Sequence, residues 1–294
     1  VIKKFPNSIG SQNCLALQSK ITEKTLGIVI EEVNLPNKPF KSLVKYKNFN
    51  KIYFSVYPVK KEDMDKIRQE SDSYYNKNKT YKDYNAILID YFKDKKAILQ
   101  SENELPDDKD YQGHSVEVKL DGLALGTYIV FGSDKTNLNY DGGCVGYGFT
   151  TVSNISMIDR GQKDSTLEFY LLERELGLPI KDAKVDIYEE KYNNLISQYQ
   201  YNKVTSIKTD TTGYFEIKPD IKDGRNLYIE ISKGDDKFEF LSNNLSKKEY
   251  KFVNFYQYYK RTEPTGVKAK VFIFTDRSIY RPEQNIYFKA IAIR

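Results

Sequence analysis

The chain has 294 residues, with 46 Lys and Arg against 41 Asp and Glu and a formal net charge of +5. Spread over such a length with the two signs interspersed, that excess gives no reason to expect nucleic acid or acidic lipid as a partner, and no apolar run is long enough to span a bilayer. The 25 tyrosines and 16 phenylalanines, with no tryptophan, fit half-buried strands, where the ring packs and the hydroxyl reaches water.

The opening VIKKFPNSIGSQNC lacks an apolar stretch followed by a cleavage site and does not read as a signal peptide. Leu26 to Val33, Phe40 to Tyr46 and Ile52 to Val59 read as strands, separated by the turns LPNKP and NFNK. From Asp63 to Gln100 the pattern changes: Met64, Ile67, Tyr74 and Tyr75, then Tyr84, Ile87, Leu88, Tyr91 and Phe92, recur at helical spacing. This predicts two helices interrupted near Asn76 to Thr80. Strand alternation returns in HSVEVKL, ALGTYIVFG and GYGFTTVSNISMI. The first domain, residues 1–159, is expected to be a β-sandwich with a helical insertion over about 61–100.

Beyond IDRGQKD, hairpin signals recur through residues 160–262 with no convincing helix, which predicts a second β-sandwich. Within it, GLPIKDAKVDIY followed by TDTTGYFEI resembles the prealbumin-like, carboxypeptidase-regulatory-type sandwiches. Asp210 and Gly213 are expected to form the turn, with Tyr214, Phe215 and Ile217 opening the next strand. Arg261 to Ala269 reads as a short linker to residues 263–294, which hold the first strands of an incomplete third domain. The fold class expected is mainly β, in tandem antiparallel sandwiches.

The last segment carries the most specific signal. Val271 to Thr275 and Ile286 to Ile293 alternate as strands, and Pro282-Glu283-Gln284-Asn285 reverses the chain between them. The string TDRSIYRPEQ, followed by YFKA, resembles the opening of the second macroglobulin-like domain of alpha-2-macroglobulins and their bacterial relatives. Its motif residues Thr275, Asp276, Arg277, Tyr280, Arg281 and Pro282 would act structurally. Glu283 departs from the usual glycine and favours a type I over a type II turn. LPNKPFKSLVKYKNFNKIYFSVYPV also looks like the opening sandwich of those proteins. With Val1 in place of an initiator methionine and Arg294 falling in mid-pattern, the chain reads as a fragment of a larger protein.

The resemblance implies an exported inhibitor that an attacking protease cleaves in a bait region, and that then rearranges and entraps the protease, often through an internal Cys-Gly-Glu-Gln thioester. Neither Cys14 nor Cys144 has that context. The implied location is the periplasm or cell surface, with any lipid anchor outside this segment. The implied partners are other domains of the same chain and, through the whole protein, a target protease.

Candidate chemistry is sparse, and an enzyme is not expected. A single histidine, His114, excludes a multi-histidine metal site. Cys144, within Asp141-Gly-Gly-Cys-Val-Gly, could act as a nucleophile with His114 as base, although a loop thiol or a disulfide to Cys14 is the simpler reading. Asp108, Asp110, Gln112 and Gly113 fall in calcium-loop register, but Lys119 stands where a bidentate glutamate belongs. GGCVGYG lacks the strand-to-helix context of a phosphate cradle. No cofactor and no metal are expected. A second reading remains, a cell-surface adhesion or glycan-binding array presenting tyrosines such as Tyr256 and Tyr258.

Overall fold

The structure, a computed structural model, describes residues 2–80, 82–107, 109–138, 143–163, 166–193, 198–218, 226–238, 270–275 and 285–293. The chain divides into two compact units, Val1–Val152 and Ser153–Arg294, upstream of the boundary at 159/160 drawn from the sequence. The architecture is the expected one: mainly β, in antiparallel sandwiches, with helices inserted in the first.

The first unit opens with α1 (Ile9–Thr22), β1 (Thr25–Ile30), β2 (Val33–Asn34), β3 (Phe40–Lys47) and β4 (Lys51–Pro58). The helices α2 (Lys61–Asn78) and α3 (Tyr84–Phe92) follow, then β5 (Leu99–Glu104), β6 (His114–Leu120), β7 (Gly126–Ser133) and β8 (Val145–Val152). Strands β1-β3-β6 form one sheet and β2-β8-β7-β4-β5 the other. Their inner faces share a core that includes Phe40, Val44, Val118 and Leu120 from the first, with Ile52, Phe54, Val56 and Val130 from the second. Alternation along β3 is complete, from buried Phe40 to buried Tyr46, because only one of its faces meets the core.

The outer face of the five-stranded sheet is also buried. Ile129 and Phe131 of β7, pointing away from the sandwich, are fully enclosed, as are Ile67 of α2 and Ile87, Leu88 and Phe92 of α3. Tyr57, Phe92 and Phe131 form an aromatic triangle with ring centroids 5.5 to 5.9 Å apart. The unit therefore has three layers, sheet, sheet and helix pair.

One carboxylate ties the helix pair together. Asp63, in the first turn of α2, accepts hydrogen bonds from the Lys60 amide (2.8 Å), the Tyr91 hydroxyl (2.8 Å) and the Lys95 ammonium (2.8 Å). The same ammonium lies 3.7 Å from the Tyr91 ring centroid. Burial pushes the Asp63 carboxyl up, but the bonds from Lys95, Lys60 and Tyr91 outweigh it and hold the group below the ordinary carboxylate range.

Two elements differ from the sequence reading. Helical periodicity extended to Gln100, yet α3 ends at Phe92 and β5 begins at Leu99, its pairing led in by the Ile98 amide donating to Val56 O (2.9 Å). Helix α1 carries no apolar stripe and was not foreseen. It is fixed at its ends, with the Ser8 hydroxyl accepting from the Ser11 amide and the Asn48 amide donating to Ile21 O and Glu23 O (2.7 and 2.8 Å).

The second unit comprises β9 (Ile155–Lys163), β10 (Thr166–Glu173), β11 (Lys184–Asn193), β12 (Gln198–Lys208), β13 (Tyr214–Ile217), β14 (Asn226–Lys233) and β15 (Asp236–Phe238). A hairpin of β16 (Lys270–Thr275) and β17 (Phe288–Ile293) completes it. Sheets β13-β10-β9 and β12-β11-β14-β15 each bury one face, with Phe169 stacked on Phe215 at 5.0 Å in the first and Val185, Ile187 and Ile231 enclosed in the second. The turn before β13 is formed by Asp210 and Gly213 as expected: the Asp210 carboxylate accepts from the Thr212 amide, the Thr212 hydroxyl and the Tyr214 amide, all within 2.9 Å. Gly213 has φ +76°, and a Cβ there would collide with Leu171 O.

Two outcomes follow from this packing. Because the folded Asp63 carboxyl is depressed, its stabilisation is complete above the unfolded value of about 4 and is lost as pH falls through the lower folded value. Urea unfolding followed between pH 6 and 3 should show the parent losing more stability than Asp63→Asn, and parallel slopes would refute the assignment. Gly213→Ala should destabilise the second unit more than Gly234→Ala, measured by urea midpoint. Both impose a left-handed alanine, at about 1–2 kcal/mol, but only at Gly213 does the new methyl meet backbone.

Candidate functional site

The GGCVGYGF segment shows what its glycines are for. Register places Gly146 and Gly148 of β8 beside Gly132 and Val130 of β7, on the face toward β1. A Cβ at Gly146 would lie 3.3 Å from Ile28 N, and one at Gly132 3.2 Å from Ile28 Cγ2, so the bare face lets β1 close one edge of the sandwich. The alternate residues Tyr147 and Phe149 face outward, and Tyr147 lies 6.1 Å from the Phe131 ring. This is strand packing and not a phosphate cradle.

Cys144, at the head of that strand, is a free thiol, as is exposed Cys14. Its Sγ donates to Lys24 O (3.1 Å), and its amide donates to Asp134 Oδ1 (2.8 Å), whose other oxygen holds the Lys24 ammonium at 2.8 Å. Burial, followed by the Asp134 charge, pushes the Cys144 thiol up, away from the thiolate that nucleophilic catalysis requires. Asp134 feels burial in the opposite sense to its partners, and Lys24 and the Cys144 amide prevail, leaving its carboxyl low. The cluster pins the start of β8 to the residue preceding β1.

His114 opens β6 opposite Tyr46, and its Nε2 lies 2.9 Å from Asp110 Oδ1, a carboxylate oxygen that accepts the bond. The same oxygen receives the Gln112 amide at 2.8 Å, and these bonds, the amide first, hold the Asp110 carboxyl low. Asp110 is thus engaged in shaping its own loop, and Lys119 lies in strand β6; Asp108 lies outside the described residues. Among the described residues, no three His, Cys, Asp or Glu side chains are grouped to hold a metal ion, and no helix is long and apolar enough to cross a membrane.

A recess of about 710 Å³ in the first unit opens between the end of α3 and the outer face of β4 and β5. Its lining includes Ser55, Tyr57, Asp90, Lys93, Lys95 and Gln100. Its ammonium groups are matched internally, Lys93 by Asp90 at 2.9 Å and Lys95 by Asp63 at 2.8 Å. Nothing in this arrangement converges on a reacting atom.

Of the motif residues, Thr275 ends β16, while Asp276, Arg277, Tyr280, Arg281 and Pro282 lie outside the described residues, as do Glu283, the linker Arg261 to Ala269, and Tyr256 and Tyr258. The strands flanking the motif pair antiparallel, Thr275 opposite Phe288 and Lys270 opposite Ile293. The two strands of the expected hairpin are therefore paired.

No protein-family model matches the sequence, and no curated protein matches it. Among solved structures, a transglutaminase from red sea bream aligns at 12% identity and a TM-score of 0.27, over 77% of this chain and 32% of that one. Native alpha-2-macroglobulin from Escherichia coli spanning domains MG0-NIE-MG1 aligns at 13% identity and a TM-score of 0.44, over 73% of this chain. The match covers 62% of that structure, less than two thirds of its length. The shorter Escherichia coli structure spanning domains NIE-MG1 aligns at 14% identity and a TM-score of 0.43, over 74% of this chain and 95% of that one. This chain is similar to bacterial alpha-2-macroglobulin over those domains.

Proposed function

We propose that this chain is a structural segment of an alpha-2-macroglobulin-like endopeptidase inhibitor, working as scaffold and inter-domain contact and carrying no catalysis of its own. The observation that carries the reading is the pairing of β16 and β17, which brackets the TDRSIYRPEQ motif in antiparallel register C-terminal to the two sets of sandwich strands. The motif is long, and a strand on each side of its turn is what its resemblance requires.

In this reading residues 1–159 and 160–262 are frame domains, and 263–294 begin the next macroglobulin-like domain. Thr275, Asp276, Arg277, Tyr280, Arg281 and Pro282 are family-motif residues with a structural role in this reading. The whole protein is exported, to the periplasm or cell surface, and its partner is a protease. A frame of packed sandwiches suits that role, because cleavage elsewhere is converted to concerted rearrangement only when the domains themselves do not deform.

The test is a capture assay on the whole protein with trypsin. Entrapment predicts that trypsin keeps its activity on a small peptide substrate and loses it on a large protein substrate, with the two proteins co-migrating on a native gel. A covalent band under denaturing conditions would add a thioester. Full activity on both substrates with no complex would sink the inhibitor reading for that protease class.

A further inference from the structure

On the outer face of the five-stranded sheet, Ser55 of β4 stands between Gln100 of β5 and Phe131 of β7, where α3 has already ended at Phe92. Ser55 is 7% exposed and Tyr57, two residues on, is 4% exposed. Beside them the rings of Tyr57, Phe92 and Phe131 fill the layer under the helices, but a serine has too little volume to continue it. The recess of about 710 Å³ opens at that point. Its volume falls within the range of about 300–1,000 Å³ usual for small-molecule sites.

The walls select a class of ligand. Ile89 and Leu138, both buried, supply apolar surface. Opposed to them are neutral hydrogen-bonding groups, the hydroxyl of Thr136 and the amides of Gln100 and Asn137, all three on exposed residues at the mouth. Each of these side chains both donates and accepts. The charges are engaged within the protein: the Asp90 carboxylate holds Lys82 and Lys93, each at 2.9 Å, and Lys95 lies 2.8 Å from Asp63. A charged ligand would have to break one of these pairs, whereas a polyhydroxylated ring matches donors with acceptors and lays its C–H face on the apolar wall. A peptide adds to a strand edge through its main chain, and this recess lies on a sheet face lined by side chains.

We propose that the recess beside α3 binds a short neutral oligosaccharide, with Gln100, Thr136 and Asn137 bonding its hydroxyls and Ile89 and Leu138 taking the apolar face of a ring. The site lies wholly within the first unit. The inference does not depend on protease inhibition and is read without any protease.

Saturation-transfer difference NMR and calorimetric titration on the full chain test it. The probes are three neutral trisaccharides: maltotriose, cellotriose and triacetylchitotriose. At least one should bind saturably. Gln100→Ala and Asn137→Ala should each weaken that binding about fivefold, the effect of one lost hydrogen bond. Ser55→Leu, which fills the floor, should abolish it, and Asn202→Ala in β12 of the second unit should leave it unchanged. The cationic trimer of glucosamine and the anionic trimer of galacturonate should bind about tenfold more weakly, because each must displace a paired charge. Should thermal unfolding show that Ser55→Leu does not fold, Asn137→Trp, which closes the mouth from an exposed position, takes its place with the same expectation. Three results would each overturn the proposal: no binding of any neutral trisaccharide, binding undiminished in both Gln100→Ala and Asn137→Ala, or tighter binding of a charged trimer or of capped pentaglycine than of all three neutral sugars.

Discussion

The first unit depends on β4 and β7 being dry on both faces. A strand in a two-layer sandwich buries every other residue, yet Ile52, Phe54 and Val56 of β4 face one hydrophobic layer and Tyr57 faces another, while Val130 and Phe131 of β7 do the same in adjacent positions. Such strands cannot be left with one side in water. The helix pair is the answer to that demand, and it is supplied from the chain between β4 and β5, immediately beside the strand it must cover. Asp63, Tyr91 and Lys95 then hold the beginning of one helix to the end of the other, so the cover closes as a unit rather than as two short helices of marginal stability.

A different device closes the open side of the same sheet. Edge strands attract unwanted pairing, and β8 carries only the two-residue β2 as its hydrogen-bonded outer neighbour. Removing side chains at Gly132, Gly146 and Gly148 lets β1 lie against it at near-backbone distance, and the Lys24–Asp134–Cys144 cluster secures the corner. Glycine costs conformational entropy in a strand, and here that cost is offset by close approach of two sheets. The strand expected over GYGFTTVSNISMI, with no phosphate cradle in GGCVGYG, is the one observed, and its alternation of bare and aromatic positions describes a strand with unlike faces.

The parts of the fold that were legible share one property: their local pattern and their tertiary role agree. Strand β3 alternates and is buried on one face, α2 and α3 show helical spacing and pack on one side, and TDTTG combines turn chemistry with an actual turn. Where the two part, the sequence misled. Leu99 lies one heptad beyond Phe92 and so continues the helical phase by accident, hiding the start of β5. Helix α1 was invisible because all of its residues except Ser11 are exposed or uncovered, which removes the periodic signal that packing imposes. The polar cluster at Asn154, Arg174 and Asp236, in which Asp236 accepts from the Asn154 amide, was equally hidden: its members are far apart in sequence, and a single Arg in a turn or Asp on a strand reads as surface.

Catalytic sites announce themselves by convergence of reactive groups on one point in space, and among the described residues the side chains that the sequence singled out do not converge: Cys144 bonds a backbone carbonyl, Asp110 its own loop, and the lysines of the recess beside α3 their neighbouring carboxylates. Each of these interactions ends on a main-chain atom or an opposite charge and fixes where a segment runs. The energetically awkward exception is a pair of buried atoms in the second unit, Asp236 Oδ1 and Arg174 Nε, that have no hydrogen-bond partner. Unsatisfied polarity of this kind persists in a folded protein only where the surrounding packing and hydrogen bonds over-determine the conformation.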